Sequence, residues 1–129
     1  GAFIKQQNHK HFGLVYRTMI GNDTAGIDND NYKLHIFWDC VAGASEDSNS
    51  TINDSPEQKT FSWSVTTLPV AASGFQPTAS MVIDSTKVAS AKLTQILNLI
   101  YGTNADGSTA ATDPTLPSFD TLKGILTAS

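Results

Sequence analysis

The stretch Tyr32–Val41 alternates apolar and polar residues, and this pattern constrains the fold more than any other part of the sequence. Side chains that repeat with a period of two point to opposite faces of a β-strand, so the stretch predicts a strand with one buried face. Lys33, His35 and Asp39 lie on its polar face. The apolar face holds Tyr32, Leu34, Ile36, Trp38 and Cys40. Such a strand needs partner strands beside it and a second layer to bury its apolar face.

Three further segments alternate in the same way and predict strands at residues 12–19, 60–67 and 78–84. We expect residues 60–67 to form a hairpin with Tyr32–Val41 across the polar loop that separates them. The apolar side of residues 60–67, with Trp63 at its centre, is expected to pack in the core, because large aromatic side chains dominate core burial.

The period changes after residue 87. Apolar residues at three- and four-residue spacing predict one amphipathic helix that ends at Tyr101, with Gly102 as its C-terminal cap. The apolar residues near the C-terminus, over 116–126, predict a short helix or strand laid on the core. The chain is therefore expected to be α+β and mainly β: a sandwich or barrel with one amphipathic helix packed against it.

Composition excludes several functional classes. Hydrophobic residues make up 40% of the chain and charged residues 16%, so Ser, Thr, Asn, Gln and Gly must cover much of the surface. Eight scattered Lys and Arg residues and a net charge of −4 argue against a nucleic-acid reader. No apolar run approaches the roughly 20 residues of a membrane span, so we expect no membrane partner. The single cysteine, Cys40, predicts a buried thiol.

Metal binding has only weak support in the sequence. His9 and His11 alternate, and His35 is a third imidazole, but no paired cysteines and no His pair at zinc-ligand spacing accompany them. Asp28–Asn31 resembles the start of a calcium loop, yet Lys33 stands where the loop needs Gly. We expect no metal and no cofactor, and we interpret 28–31 as a turn between the first two strands.

Catalysis is not indicated either. Asp23, Asp39 and Asp84 are candidates for a carboxylate pair, but Asp is also common in turns and caps. No nucleophile elbow, Cys/His signature or Gly-rich phosphate cradle is present. The aromatics Phe37 and Phe75 leave open a second possibility, a secreted or virion-surface β-sandwich that binds glycans as an adhesin does.

A series of short sequence motifs occurs in order within residues 2–126. They are Phe12-Gly13-Leu14-x-Tyr16-Arg17-Thr18, Gly21-Asn22-Asp23, Tyr32-Lys33-Leu34-His35, Thr51-Ile52-Asn53-Asp54-Ser55-Pro56-Glu57, Phe61-Ser62-Trp63, Thr66-Thr67-x-Pro69-Val70, Pro77-Thr78-Ala79-Ser80, Ile83-Asp84-Ser85-Thr86-Lys87-Val88 and Tyr101-Gly102-Thr103. In this order they resemble the major tail (tail-tube) proteins of long-tailed bacteriophages of Gram-positive hosts and related prophages.

The resemblance implies a structural virion protein and not an enzyme. Such subunits are expected to form rings, hexameric in this family, that stack into a tube for DNA ejection, with a β-sheet lining the lumen and a helix outside. The implied partners are further copies of the chain and other tail proteins, and DNA passes without specific binding. The implied location is the virion tail, assembled in the host cytoplasm. Residues 1–129 are expected to be one domain, a C-terminal portion lacking some N-terminal strands.

The polar loop over residues 42–57 is the expected stacking element of the tube, because it is long and holds almost no core residues. Ile52, its one large apolar residue, is the expected anchor. The interface residues predicted in this loop are Ser48, Asn49, Thr51, Ile52 and Asn53.

Overall fold

A computed structural model describes residues 9–22, 26–44 and 63–128. The strands are β1 (His11–Asn22), β2 (Gly26–Ala44), β3 (Trp63–Thr67) and β4 (Ser80–Asp84). The helices are α1 (Ser90–Tyr101) and α2 (Phe119–Thr127), and a short 3₁₀ turn, Ser85–Lys87, precedes α1. The α+β, mainly β class is confirmed. No helix in these described ranges is long and apolar enough to span a membrane.

The four strands form one antiparallel sheet organised around β2. β1 pairs along one edge of β2, from His11 opposite Val41 to Asn22 opposite Gly26. The other edge of β2 is shared by two short strands placed end to end. β4 pairs with residues 33–37 of β2, and β3 pairs with residues 40–44. The predicted hairpin between the second and third strands is confirmed.

The apolar face of β2 is buried as predicted, and we call this side of the sheet the helix face. Leu34 and Ile36 are at most 1% exposed, and Cys40 is buried as predicted but lies outside their core cluster. Ile96 of α1 and Leu122 of α2, both fully buried, pack on this face with Ile83 of β4. Each such side chain contributes about 1.5–3 kcal/mol through its removal from water. In the described residues, two helices therefore form the layer that covers the sheet.

Each helix is bounded by identifiable end signals. α1 ends, as predicted, at Tyr101, and Gly102 follows with φ of 73°, a conformation that favours glycine. α2 begins after Ser118, whose hydroxyl accepts a hydrogen bond from the N–H of Thr121 at 3.2 Å. This second helix resolves the choice between helix and strand for the C-terminal segment.

Two polar contacts tie α2 to the connection between β3 and β4. The carboxylate of Asp120 accepts hydrogen bonds from the backbone N–H of Ser73 at 3.1 Å and from its hydroxyl at 2.9 Å. The ammonium of Lys123 donates to the carbonyl oxygen of Ser73 at 2.8 Å. Both contacts are exposed, so the burial of Leu122 supplies most of the stability that holds α2 in place.

Two sequence interpretations were wrong in detail. Residues 28–31 lie within strand β2, as an irregular stretch opposite Ile20, and do not connect the first two strands. Trp63 is 65% exposed and does not pack in the core. It lies opposite Ala44, at the first residue of β3, and does not belong to the core cluster. Trp38, by contrast, packs against the core cluster as predicted.

Candidate functional site

The side of the sheet opposite the helices is covered by no described element, and we call it the open face. The register across three strands places its side chains in rows. The residues of these rows are Leu14, Tyr16 and Thr18 from β1, Lys33, His35 and Phe37 from β2, and Ser80, Val82 and Asp84 from β4. Tyr16 is 43% exposed and Val82 is 53% exposed, so apolar groups face solvent in the middle of this surface.

Aromatic rings are stacked along the open face. The ring of Tyr16 lies parallel to the imidazole of His35, with centroids 4.7 Å apart, and nearly parallel to the ring of Phe37 at 6.0 Å. The hydroxyl oxygen of Thr18 is 2.9 Å from Nε2 of His35. Rings stacked on one another hide part of their faces. The stack is therefore a partly apolar ridge on the open face, a surface suited to contact with another protein.

A bulge in β2 interrupts the pairing of the first two strands. Phe12 pairs with Cys40 and Leu14 pairs with Phe37, so the single residue Gly13 of β1 stands opposite two residues of β2, Trp38 and Asp39. The extra residue breaks the regular alternation of β2 between Phe37 and Cys40. A Cβ on Gly13 would lie within the side chain of Leu116, which packs against the bulge.

The edge of β1 is the second feature of this surface. Within residues 9–22, 26–44 and 63–128, this strand of 12 residues pairs only with β2. The N–H and C=O groups on the other side of a strand of this length are a template for pairing with a further strand.

The histidines and acidic residues that the sequence singled out are separated. Nδ1 of His11 lies 2.5 Å from Oδ1 of Asp39, whereas His35 contacts Thr18. Asp84 caps the 3₁₀ turn by accepting from the hydroxyl of Thr86 at 2.7 Å and from its N–H at 3.0 Å. These bonds, the hydroxyl first, lower the pKa of Asp84.

Asp39 and Asp84 are not close enough to act as a pair. Asp84 is opposite Lys33, six residues along β2 from Asp39, which corresponds to about 20 Å of strand. The described parts of the chain contain no cluster of three or more His, Cys, Asp or Glu residues that could hold a metal. Asp23 lies outside the described residues.

The two aromatics considered for glycan binding lie on opposite sides of the sheet. Phe37 is part of the stack on the open face. Phe75 is 64% exposed, but its ring edge meets Phe119 of α2, and Nζ of Lys123 sits 5.1 Å from its centroid. The two rings therefore cannot form a joint sugar platform.

The predicted interface residues Ser48, Asn49, Thr51, Ile52 and Asn53 lie outside the described residues. The stack and the bulge were missed by sequence reasoning. Glycine inside an alternating strand is the signal that points to a bulge.

No protein-family model, no curated protein and no solved structure matches this chain.

Proposed function

We propose that this chain is a non-enzymatic structural subunit that assembles with copies of itself, and specifically a tail-tube subunit of a long-tailed bacteriophage or related prophage. The observation that carries the proposal is a sheet with an uncovered, partly apolar face and a long edge strand that pairs on one side only among the described residues. Both features are costly in an isolated monomer and are useful in a polymer.

The edge of β1 is the proposed ring contact. A strand of a neighbouring copy pairing there would continue the sheet from one subunit to the next, and a head-to-tail contact of this kind forms a ring when its rotation closes. The sheet of the ring would then be the inner wall, and α1 and α2 would lie outside it. This arrangement agrees with what the sequence resemblance implies.

The open face is the proposed lumen wall. Its rows carry the carboxylate of Asp84 opposite the ammonium of Lys33, on a chain of net charge −4. A wall of this kind offers, among its described residues, no cluster of cations that would retain the DNA backbone.

The direct test is assembly of the purified chain, followed by electron microscopy and sedimentation as its concentration is raised. Rings with a central hole, or tubes, are the expected products. A monomer at every concentration, especially one with affinity for a glycan, would favour the alternative of a virion-surface or secreted binding module.

Amide exchange tests the ring contact itself. The N–H groups of β1 that point away from β2 should exchange rapidly in dispersed protein and slowly in the assembled protein, because pairing removes them from water. The amides of α1 are the internal control, since they are hydrogen-bonded in both states. Equal exchange of the β1 amides in the two states would contradict edge pairing.

A deletion tests the predicted stacking loop. Removal of residues 48–53, which includes Ile52, should leave the monomer folded and should prevent rings from stacking into tubes. Normal tubes formed by the deletion variant would refute the role of this loop.

A further inference from the structure

A cleft of about 650 Å³ lies on the helix side of the molecule, away from the open face and from the edge of β1. One wall is the C-terminal half of α1, and the other is the segment that follows this helix. Thr103 and Thr112 pair as a short bridge, with backbone hydrogen bonds of 3.0 and 2.9 Å, and so bring the chain back beside α1. The bridge gives the cleft a defined wall.

Glycine allows that wall to approach the helix. A Cβ on Gly102 would lie closer to the carbonyl oxygen of Thr112 than such atoms approach in proteins. Thr115 holds the far end of the segment by donating its N–H to the carbonyl oxygen of Leu99 at 2.8 Å. The cleft is thus fixed at both ends by backbone contacts.

The charged and partly charged groups that border the cleft are negative. Asp113 is the one ionisable residue among those that line it, and its exposed carboxylate has no hydrogen-bond or ion-pair partner within the described part of the chain. The last turn of α1 borders the cleft and contains no basic residue. The partial negative charge of this helix end is therefore not neutralised by its own side chains.

The rest of the lining combines acceptors with apolar surface. Gln95 and Asn98 lie one turn apart on α1, both exposed, and their amide groups have no partner in the described ranges. Leu99 and Ile125, both partly buried, supply the apolar part. A cation on an aliphatic stem matches this combination, since the stem covers the apolar part and the charged end meets the carboxylate.

We propose that this cleft binds an arginine side chain presented by a segment of a partner protein. Arginine is favoured over lysine because its planar guanidinium has five N–H donors, which suit one carboxylate and two amide oxygens at once. The volume exceeds that of a single side chain, so the flanking backbone of the segment also has room. The site is independent of whether the chain polymerises.

The test is a titration of the isotopically labelled chain with the capped peptide Ala-Ala-Arg-Ala-Ala, followed by NMR at a concentration at which the chain is dispersed. Saturable shifts are expected at the side-chain amides of Gln95 and Asn98 and at the backbone amides of Asp113 and Thr115. Asp113→Asn should weaken binding about tenfold, because a charge-assisted hydrogen bond is lost. The same peptide with Gln in place of Arg should bind at least tenfold more weakly.

Two further variants test whether Asp113→Asn weakens binding directly. Asp106→Asn removes the same charge from the same connection, outside the cleft lining, and should leave peptide affinity unchanged. Asn98→Lys places a cation at an exposed position of the lining and should abolish binding. The proposal is overturned if the Gln peptide binds equally well, if Asp113→Asn retains full affinity, or if no saturable shifts occur at the lining residues.

Discussion

The indole N–H of Trp38 donates a hydrogen bond of 2.8 Å to the backbone carbonyl oxygen of Pro117, 79 residues further along the chain. The same indole meets the ring of Phe119 edge-on, with centroids 5.9 Å apart. Pro117 is buried, so its carbonyl oxygen depends on this donor. The contact joins the central strand β2 to the start of α2.

Trp38→Phe keeps an aromatic ring at this position but removes the donor. The free energy of unfolding should fall by about 1–3 kcal/mol, because a buried carbonyl is left without a partner. Urea denaturation followed by circular dichroism measures the change. Trp63→Phe is the matched control, since Trp63 is exposed, and its effect in dispersed protein should be within about 0.5 kcal/mol. Equal effects of the two substitutions would contradict the role given to Trp38.

Replacing Gly102 and Gly124 with alanine should change the stability of the chain in opposite directions. Gly102 has φ of 73° and ψ of 177°, a region that other residues rarely adopt, and its Cβ would collide with Thr112. Gly102→Ala should therefore cost about 1–3 kcal/mol or more. Gly124 lies within α2, and a Cβ there would meet no atom within 4 Å. Gly124→Ala should stabilise the chain by about 0.5–1 kcal/mol.

Thermal denaturation of the two glycine variants beside the parent chain measures both effects. A stabilised Gly102→Ala variant would show that the return of the chain beside α1 is not as tight as the structure has it.

Cys40 should be unreactive in the folded chain. Burial, and secondarily the charge of Asp39, raises the pKa of its thiol, so the reactive thiolate is scarce at neutral pH. A chromogenic disulfide reagent at pH 8 should label the native protein slowly and the urea-unfolded protein at the rate of a free thiol. Rapid labelling of native protein would mean that the structure opens readily around Cys40.

The carboxyl group of Asp84 offers a test in the acid range. Its pKa is lowered by the hydroxyl and then by the N–H of Thr86, so the folded state favours the carboxylate. This contribution to stability is present above the unfolded pKa of about 3.9 and is lost as the pH falls through the lower folded value.

Thr86→Val removes the hydroxyl and keeps the N–H, so the pKa of Asp84 should rise but remain below its ordinary value. NMR titration of the side-chain carboxyl carbons measures it. Asp106 is the internal control, because its pKa is lowered by the N–H groups of Thr109 and Ser108 and should not move. An unchanged pKa of Asp84 in the variant would rule out the hydroxyl as the main cause.

The amino-acid sequence alone determined where most of the described secondary structure lies, because hydrophobic period and end signals are local. The period of two located β2 and β4, and the change to a helical period, closed by Gly102, located α1 to its last residue. The buried face of β2 followed directly from the alternation of Leu34 and Ile36 with polar residues.

Tertiary structure alone decided which apolar surfaces stay uncovered. Trp63 and Leu34 have the same local pattern, yet one is exposed and the other buried, because Leu34 packs with Ile96 and Leu122 of the helices and Trp63 does not belong to this core cluster. The bulge in β2 opposite Gly13 interrupted the regular pairing of the first two strands, and the return of the chain after Gly102 created the cleft beside Asp113. Such outcomes depend on contacts between residues far apart in sequence, which no local period encodes.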